Sequence, residues 1–143
     1  MIRVMATGVF DIIHLGHIHY LTESKKLGDE LVVVVARDST AIKNGKKPIF
    51  DEESRMAIVA QLKPVDMAVL GHEGDMFQTV RELRPNIITL GYDQKFNPET
   101  IKARCREMGL DTEVVRISGF NASKYRGSSD VRKRLLEVIE GGI

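Results

Sequence analysis

His14 and His17 stand three residues apart in the run Thr7-Gly8-Val9-Phe10-Asp11-Ile12-Ile13-His14-Leu15-Gly16-His17. At the start of a helix that spacing puts two imidazoles on one face. A helix start also offers free N–H groups and a positive dipole end, a natural seat for a phosphate. Gly16 between the histidines permits close approach there, and Gly8 marks a turn where backbone can come near a ligand. Two plainer readings compete. A histidine near a helix start can be an ordinary polar surface residue, and a glycine after a strand an ordinary turn. Histidines at i and i+3 can also chelate zinc. Only His19 and His72 remain as further histidines, however, and Cys105 is the single cysteine, so a three-ligand zinc site is poorly supplied.

Three more segments carry chemistry. Lys43-Asn44-Gly45-Lys46-Lys47-Pro48 is a glycine loop with two adjacent lysines, able to fold over a triphosphate or to stand solvated. Gly91-Tyr92-Asp93-Gln94 places a carboxylate where it can accept from ribose hydroxyls or a base amine, although aspartate after glycine is also common in turns. The stretch from Gly119 to Asp130 ends in Ser128 and Ser129, either of which can cap a helix. It can equally aim a second helix start at phosphates, with Lys124 and Arg126 adding charge. Arg132-Lys133-Arg134 reads as a solvated helix face, and Arg55 by itself as a surface residue.

The elements that must position these groups are legible from hydrophobic pattern. Residues 2–6, 31–36, 66–70, 86–90 and 113–117 are short apolar runs, and LVVVVA at 31–36 suits a strand covered on both faces. Helical patterns fill 17–27, the segment capped by Asp51, 75–83, 98–108 and the tail from Ser129. Gly28, Pro85 and Gly109 close three of them. The βα alternation predicts an α/β protein: one Rossmann-like domain over residues 1–143, an open five-stranded parallel sheet with helices on both faces. Ligands in such folds bind beyond the carboxyl ends of the strands, where strand order reverses. All the segments above follow strands.

Length and composition agree. The chain has 143 residues, 43% apolar and 29% charged, with a net charge of +1. That balance argues against nucleic-acid coating or a polybasic membrane surface. One cysteine excludes a disulfide framework. No apolar run approaches the roughly 18 residues of a membrane span, and a cytoplasmic location is expected.

Gly8-x-Phe10-Asp11-x-x-His14-x-Gly16-His17 resembles the signature of the HxGH nucleotidylyltransferases, and later segments match in order along nearly the whole chain. The resemblance implies transfer of a nucleotidyl group from a nucleoside triphosphate to a phosphorylated acceptor, releasing pyrophosphate. It implies catalytic roles for His14, His17, Lys46 and Lys47, and nucleotide contacts at Val9, Phe10, His14, Leu15, Gly16, His17, Asp93, Phe120, Ser128 and Ser129. Arg55 occupies the position of a family arginine near the phosphates. Asp11 would orient a histidine or hold a metal through water. No residue is assigned as a direct metal ligand, and a divalent ion such as Mg²⁺ would bridge the pyrophosphate. Ala36-Arg37-Asp38, Gly45-Lys46-Lys47-Pro48, Leu62-Lys63-Pro64-Val65-Asp66 and Leu90-Gly91-x-Asp93-Gln94 look most like the archaeal-type FAD synthases, which implies ATP and FMN as substrates. With no tryptophan, a flavin ring would rest on Phe96, Phe120 or Tyr125. The alternatives are a cytidylyl- or adenylyltransferase acting on glycerol 3-phosphate or a sugar phosphate, and a nucleotide-binding sensor without turnover. No nucleic-acid or membrane partner is implied, and a homodimer stays open.

Overall fold

A computed structural model describes residues 1–120 and 128–141. In chain order it contains β1 (Arg3–Gly8), α1 (Leu15–Lys25), β2 (Glu30–Val35), α2 (Asp38–Lys43), α3 (Glu52–Ala60), β3 (Met67–Leu70), α4 (Met76–Leu83), β4 (Ile87–Leu90), α5 (Pro98–Glu107), β5 (Glu113–Arg116) and α6 (Ser128–Glu140). All strand pairs are parallel, in the order β3-β2-β1-β4-β5. The chain builds outward from β1 to β3, then returns to the other side of β1 for β4 and β5. Strand order therefore reverses between β1 and β4, and a crevice opens at their carboxyl ends.

The five strands match the expected runs within two residues at each end. The two-faced core explains the unbroken apolar run of β2. Leu31, Val33 and Val35 pack with Val4 and Ala6 against Tyr20 and Leu21 of α1 and Val59 of α3. Val34 points to the other face, with Met5, Ile88 and Leu90, against Phe77 and Val80 of α4 and Ile101 and Cys105 of α5. Alternate residues of one strand thus enter opposite layers, which is why no polar position interrupts it.

Two expectations about helices change. Helix α2 was not legible: it is six residues long and buries Ala41 alone, too little for a 3.6-residue periodicity to register. Gly28 does not serve as a left-handed stop. Helix α1 ends earlier, and a Cβ on Gly28 would lie 2.7 Å from both Ile2 O and Val4 Cγ2, so this glycine lets the chain pass tightly over β1. Asp51, Asp75 and Asn97 cap α3, α4 and α5 through side-chain bonds to Ser54 N, Phe77 N and Glu99 N.

Candidate active site

Helix α1 begins two residues before the expected position because His14 is its N-cap, in extended conformation (φ −139°, ψ 179°). Gly16 N donates to His14 Nδ1 at 3.0 Å, and His14 N donates to His17 Nδ1 at 3.2 Å. This is a capping box built from two imidazoles instead of the usual hydroxyl and carboxamide or carboxylate. The helix start is therefore not the source of free donors expected from the pattern. Gly16 N is taken by His14, and His17 N and Ile18 N both donate to His14 O.

That use of the amides decides the tautomer. Each Nδ1 accepts a hydrogen bond, so in the neutral ring the proton sits on Nε2. The rings lie 4.0 Å apart, centroid to centroid. His14 Nε2 is buried and has no hydrogen-bond partner among the described residues. Burial pushes the His14 pKa down, against the opposing pull of Asp130 and Asp93. Burial, helped by the His14 neighbour and opposed by Asp11, pushes His17 down to about 4. At neutral pH both rings are uncharged Nε2–H donors on the wall of the crevice.

The depressed pKa carries a stability consequence. Above pH 6.5 residue 17 is neutral in both folded and unfolded chains and contributes no pH dependence. Between 6.5 and about 4 the unfolded chain takes up a proton that the native state refuses, so stability falls as pH falls through that window. For His17 the full loss is on the order of 3 kcal/mol, and His14 adds to it in the same direction. Denaturant unfolding across this range should flatten measurably in His17→Asn; an unchanged slope would mean that the ring protonates in the native state.

Phe10 sits in left-handed conformation (φ 53°), and its ring lies between His17 (5.5 Å) and Tyr20 (6.4 Å). A Cβ on Gly8 would lie 2.8 Å from the Phe10 ring. Gly8 thus makes room for the chain's own phenylalanine rather than for a ligand, and the buried Phe10 backs His17 from behind. The Tyr20 hydroxyl donates to Thr89 O at 2.7 Å and accepts from Thr7 N at 3.3 Å, tying α1 to β1 and β4. Burial drives its pKa up to about 12.

The lysine loop is fastened from below. Lys46 and Lys47 are exposed on the crevice wall. Asp11 neither orients a histidine ring by hydrogen bond nor faces solvent. Its two oxygens accept from Ile49 N (2.7 Å) and Phe50 N (2.9 Å), and Arg132 Nη2 reaches it at 2.6 Å. Arg132 also donates to Lys47 O at 3.0 Å, so it joins α6 to the loop and is not part of a solvated face. Arg55 is likewise not a surface residue and does not present its guanidinium to phosphates. It is fully buried and donates to Phe50 O, Val9 O, Ala36 O and Asp38 Oδ1 at 2.6–3.0 Å.

On the opposite wall, Phe120 stacks on His19 at 5.3 Å, and His19 Nε2 lies 3.1 Å from Ser118 O. Arg116 donates to Gly91 O, Gln94 O and Phe96 O, holding the loop that carries Asp93. The crevice encloses about 900 Å³, at the upper end of the roughly 300–1,000 Å³ usual for small-molecule sites. Its wall brings together Val9, Phe10, Gly16, both motif histidines, both lysines, Asp93, Phe96, Phe120 and Ser129. Leu15 is exposed and lies off it. The Ser128 side chain, Lys124, Tyr125 and Arg126 lie outside the described residues. Sequence reading gave no site role to Gln94, Arg116, Arg132 or His19, each of which has a partner distant in the chain. Among the described residues no group of three or more His, Cys, Asp or Glu could hold a metal, and no helix is long and apolar enough to cross a membrane.

Comparison with known proteins identifies the family. A family model described as cytidylyltransferase-like matches residues 5–134. A FAD synthase of Thermoplasma acidophilum is 65% identical over 139 residues, 97% of each chain, and one of Thermoplasma volcanium is 63% identical over the same extent. One of Aciduliprofundum boonei is 52% identical over 140 residues, 98% of this chain and 92% of its own. The crystal structure of the lipopolysaccharide core biosynthesis protein from Thermoplasma volcanium GSS1 is 67% identical, with TM-score 0.83 over 85% of this chain and 99% of that one. An Archaeoglobus fulgidus protein of unknown function shares the fold at 14% identity and TM-score 0.71, covering 87% of this chain and 96% of its own. With the family pattern matched from the first strand to the last helix, the chain belongs to the cytidylyltransferase-like family.

Proposed function

We propose that the protein is an FMN adenylyltransferase: it transfers AMP from ATP to FMN, forming FAD and releasing pyrophosphate. The observation that carries the reading is the imidazole pair on the wall of a strand-reversal crevice, with both Nδ1 atoms spent on backbone amides and the buried Nε2 of His14 without a partner among the described residues. The FAD synthase names of relatives 52–65% identical over nearly the full chain support the choice of acceptor.

An FMN phosphate oxygen attacks the α-phosphorus. The new O–P bond forms as the bond to the α,β-bridging oxygen breaks, and pyrophosphate leaves with that electron pair. A phosphate monoester loses its second proton near a pKa of about 6, so the nucleophile needs no strong general base. The barrier is electrostatic: two polyanions must meet, and charge builds on the phosphoryl oxygens and the leaving group. Neutral Nε2–H donors of His14 and His17 stabilise that charge without prior reorganisation. A second proton on Nδ1 would break the bonds from Gly16 N and His14 N, so the rings act as neutral donors. Lys46 and Lys47 close over the β- and γ-phosphates from a loop whose base is pinned by Asp11 and Arg132. Asp93 accepts from the ribose or adenine, and Phe120 and Phe96 offer aromatic surface to the rings.

The donor set fits a metal that arrives with the nucleotide. Asp11 and Asp93 are the carboxylates on the described crevice wall, and Asp11 is committed to two amides and Arg132. Mg²⁺ in such sites keeps several waters and is bound largely through substrate phosphates, which suits a wall whose other carboxylate, Asp93, is placed for the ribose or adenine. When bound, the ion neutralises the leaving pyrophosphate.

Purified protein with ATP, FMN and Mg²⁺ should yield FAD and pyrophosphate, and ATP should clearly outpace CTP. Faster turnover of CTP with glycerol 3-phosphate, or of ATP with a sugar phosphate, would overturn the acceptor and keep the reaction class. Nucleotide binding without pyrophosphate release from any of these mixtures would identify a sensor.

A further inference from the structure

The sheet register shows how the crevice is kept open. Along β1, odd residues turn their backbone groups toward β4 and even residues toward β2: Arg3 O accepts from Asn86 N, and Gly8 O from Ala36 N. Pairing of β1 with β2 runs to Gly8↔Val35, but pairing with β4 stops at Ala6↔Thr89. One residue further, a continued parallel ladder would carry Gly91 N to Thr7 O. A side chain stands there instead. Gly91 N donates to Gln94 Oε1 at 2.8 Å, and Gln94 Nε2 donates to Thr7 O at 3.0 Å. The carboxamide replaces one backbone rung with two hydrogen bonds in series, so neither strand end is left unsatisfied as the strands part.

Gln94 is itself held in place. Its backbone N donates to Gly91 O at 3.2 Å, and Arg116 Nη1 donates to both Gly91 O (2.9 Å) and Gln94 O (2.8 Å). The two strand ends it separates lead directly into the two walls. Thr7 continues to Val9 and the turn before His14, and Gly91 continues to Asp93. A glutamine serving only as a turn cap would need its bond to Gly91 alone. The second bond, to a residue 87 positions away on the other strand, is what spans the crevice.

We propose that Gln94 is a positioning residue for the nucleotide, a polar spacer that holds β1 and β4 apart and sets the distance between the histidine turn and the Asp93 loop. The inference rests on the nucleotide-binding reading above. Without the carboxamide, Gly91 N and Thr7 O lose their common partner and the Asp93 loop loses its register against the histidine turn, while the Tyr20 hydroxyl still stands between Thr7 N and Thr89 O one rung below.

The test is calorimetric titration of the full chain with Mg²⁺-ATP and no acceptor. Gln94→Ala should bind ATP about 10-fold or more weakly, with the Michaelis constant for ATP rising in step and that for FMN little changed. Gln94→Glu gives a readout that a merely structural role would not move. The ionised carboxylate still accepts from Gly91 N but repels Thr7 O, whereas the protonated carboxyl can donate to Thr7 O and restore the bridge. Its ATP affinity relative to wild type should therefore recover as pH falls from about 7 to about 4, into the ordinary glutamate range near 4.3. The wild type at each pH carries the same Asp93, Lys95, Arg116 and histidine pair and cancels their titration. Wild-type affinity in Gln94→Ala, or a pH-independent ratio in Gln94→Glu, overturns the inference. Absence of ATP binding by the wild type overturns the functional reading with it. Should Gln94→Ala fail to fold, Gln94→Glu decides alone.

Discussion

His17→Ala is expected to fold and to lose turnover by about 10²–10³-fold, or roughly 3–4 kcal/mol of transition-state stabilisation. The loss should fall mainly on kcat, because a donor placed for charge that grows during reaction contributes less to ground-state binding. Removing the ring also removes the Nδ1 acceptor for His14 N, which costs about 1 kcal/mol of helix capping. Circular dichroism and a thermal melt separate that cost from the catalytic one. Steady-state rates with saturating ATP and FMN then measure the rest. Near-wild-type kcat in a folded variant would remove His17 from the chemistry and leave it as a capping residue.

Arg55→Ala is expected to be the most damaging change to the fold outside the hydrophobic core. The side chain is wholly buried, while its partner Asp38 is 38% exposed. Its guanidinium ties three cleft-floor segments together: the turn after β1 through Val9 O, the end of β2 through Ala36 O, and the loop entering α3 through Phe50 O. Truncation leaves buried acceptors without donors, at a cost of about 3–5 kcal/mol. In a chain of this size that lowers the melting temperature by on the order of 10 °C. Arg55→Lys should rescue little, because an ammonium cannot reproduce the planar fork. The outcome also separates two roles. A phosphate ligand, as the family position implies, would lose nucleotide affinity at unchanged stability; the buried tie loses stability first.

The candidate site was legible where its signals were local. The Asp51 cap bonds to an amide three residues away, and the pattern places it correctly; Asp75, read as the first residue of its helix, is instead its cap, bonded to an amide two residues on. The histidine pair is equally local, so its place at the start of α1 followed from spacing. Its hydrogen bonding did not: the first-turn amides are consumed by the imidazoles, and the donors presented are the Nε2–H groups instead. Arg55 and Arg132 show the limit most clearly. Arginine on an amphipathic helix looks the same in a sequence whether it faces water, a phosphate or a set of buried carbonyls.

The sequence by itself determined the βα alternation, the two-faced burial of β2, the family pattern and the segments that gather at the strand ends. These depend on periodicity and on contacts within one or two turns of chain, which the order of residues states directly. Only the tertiary structure decided which polar groups are spent on the protein and which are left for a ligand. Asp11 meets Arg132 across 121 residues and Gln94 meets Thr7 across 87, and both contacts exist because the sheet register and the strand reversal bring those positions together. A polar side chain is committed by whichever unsatisfied backbone group ends up beside it, and that neighbour is set by the packing of the whole chain.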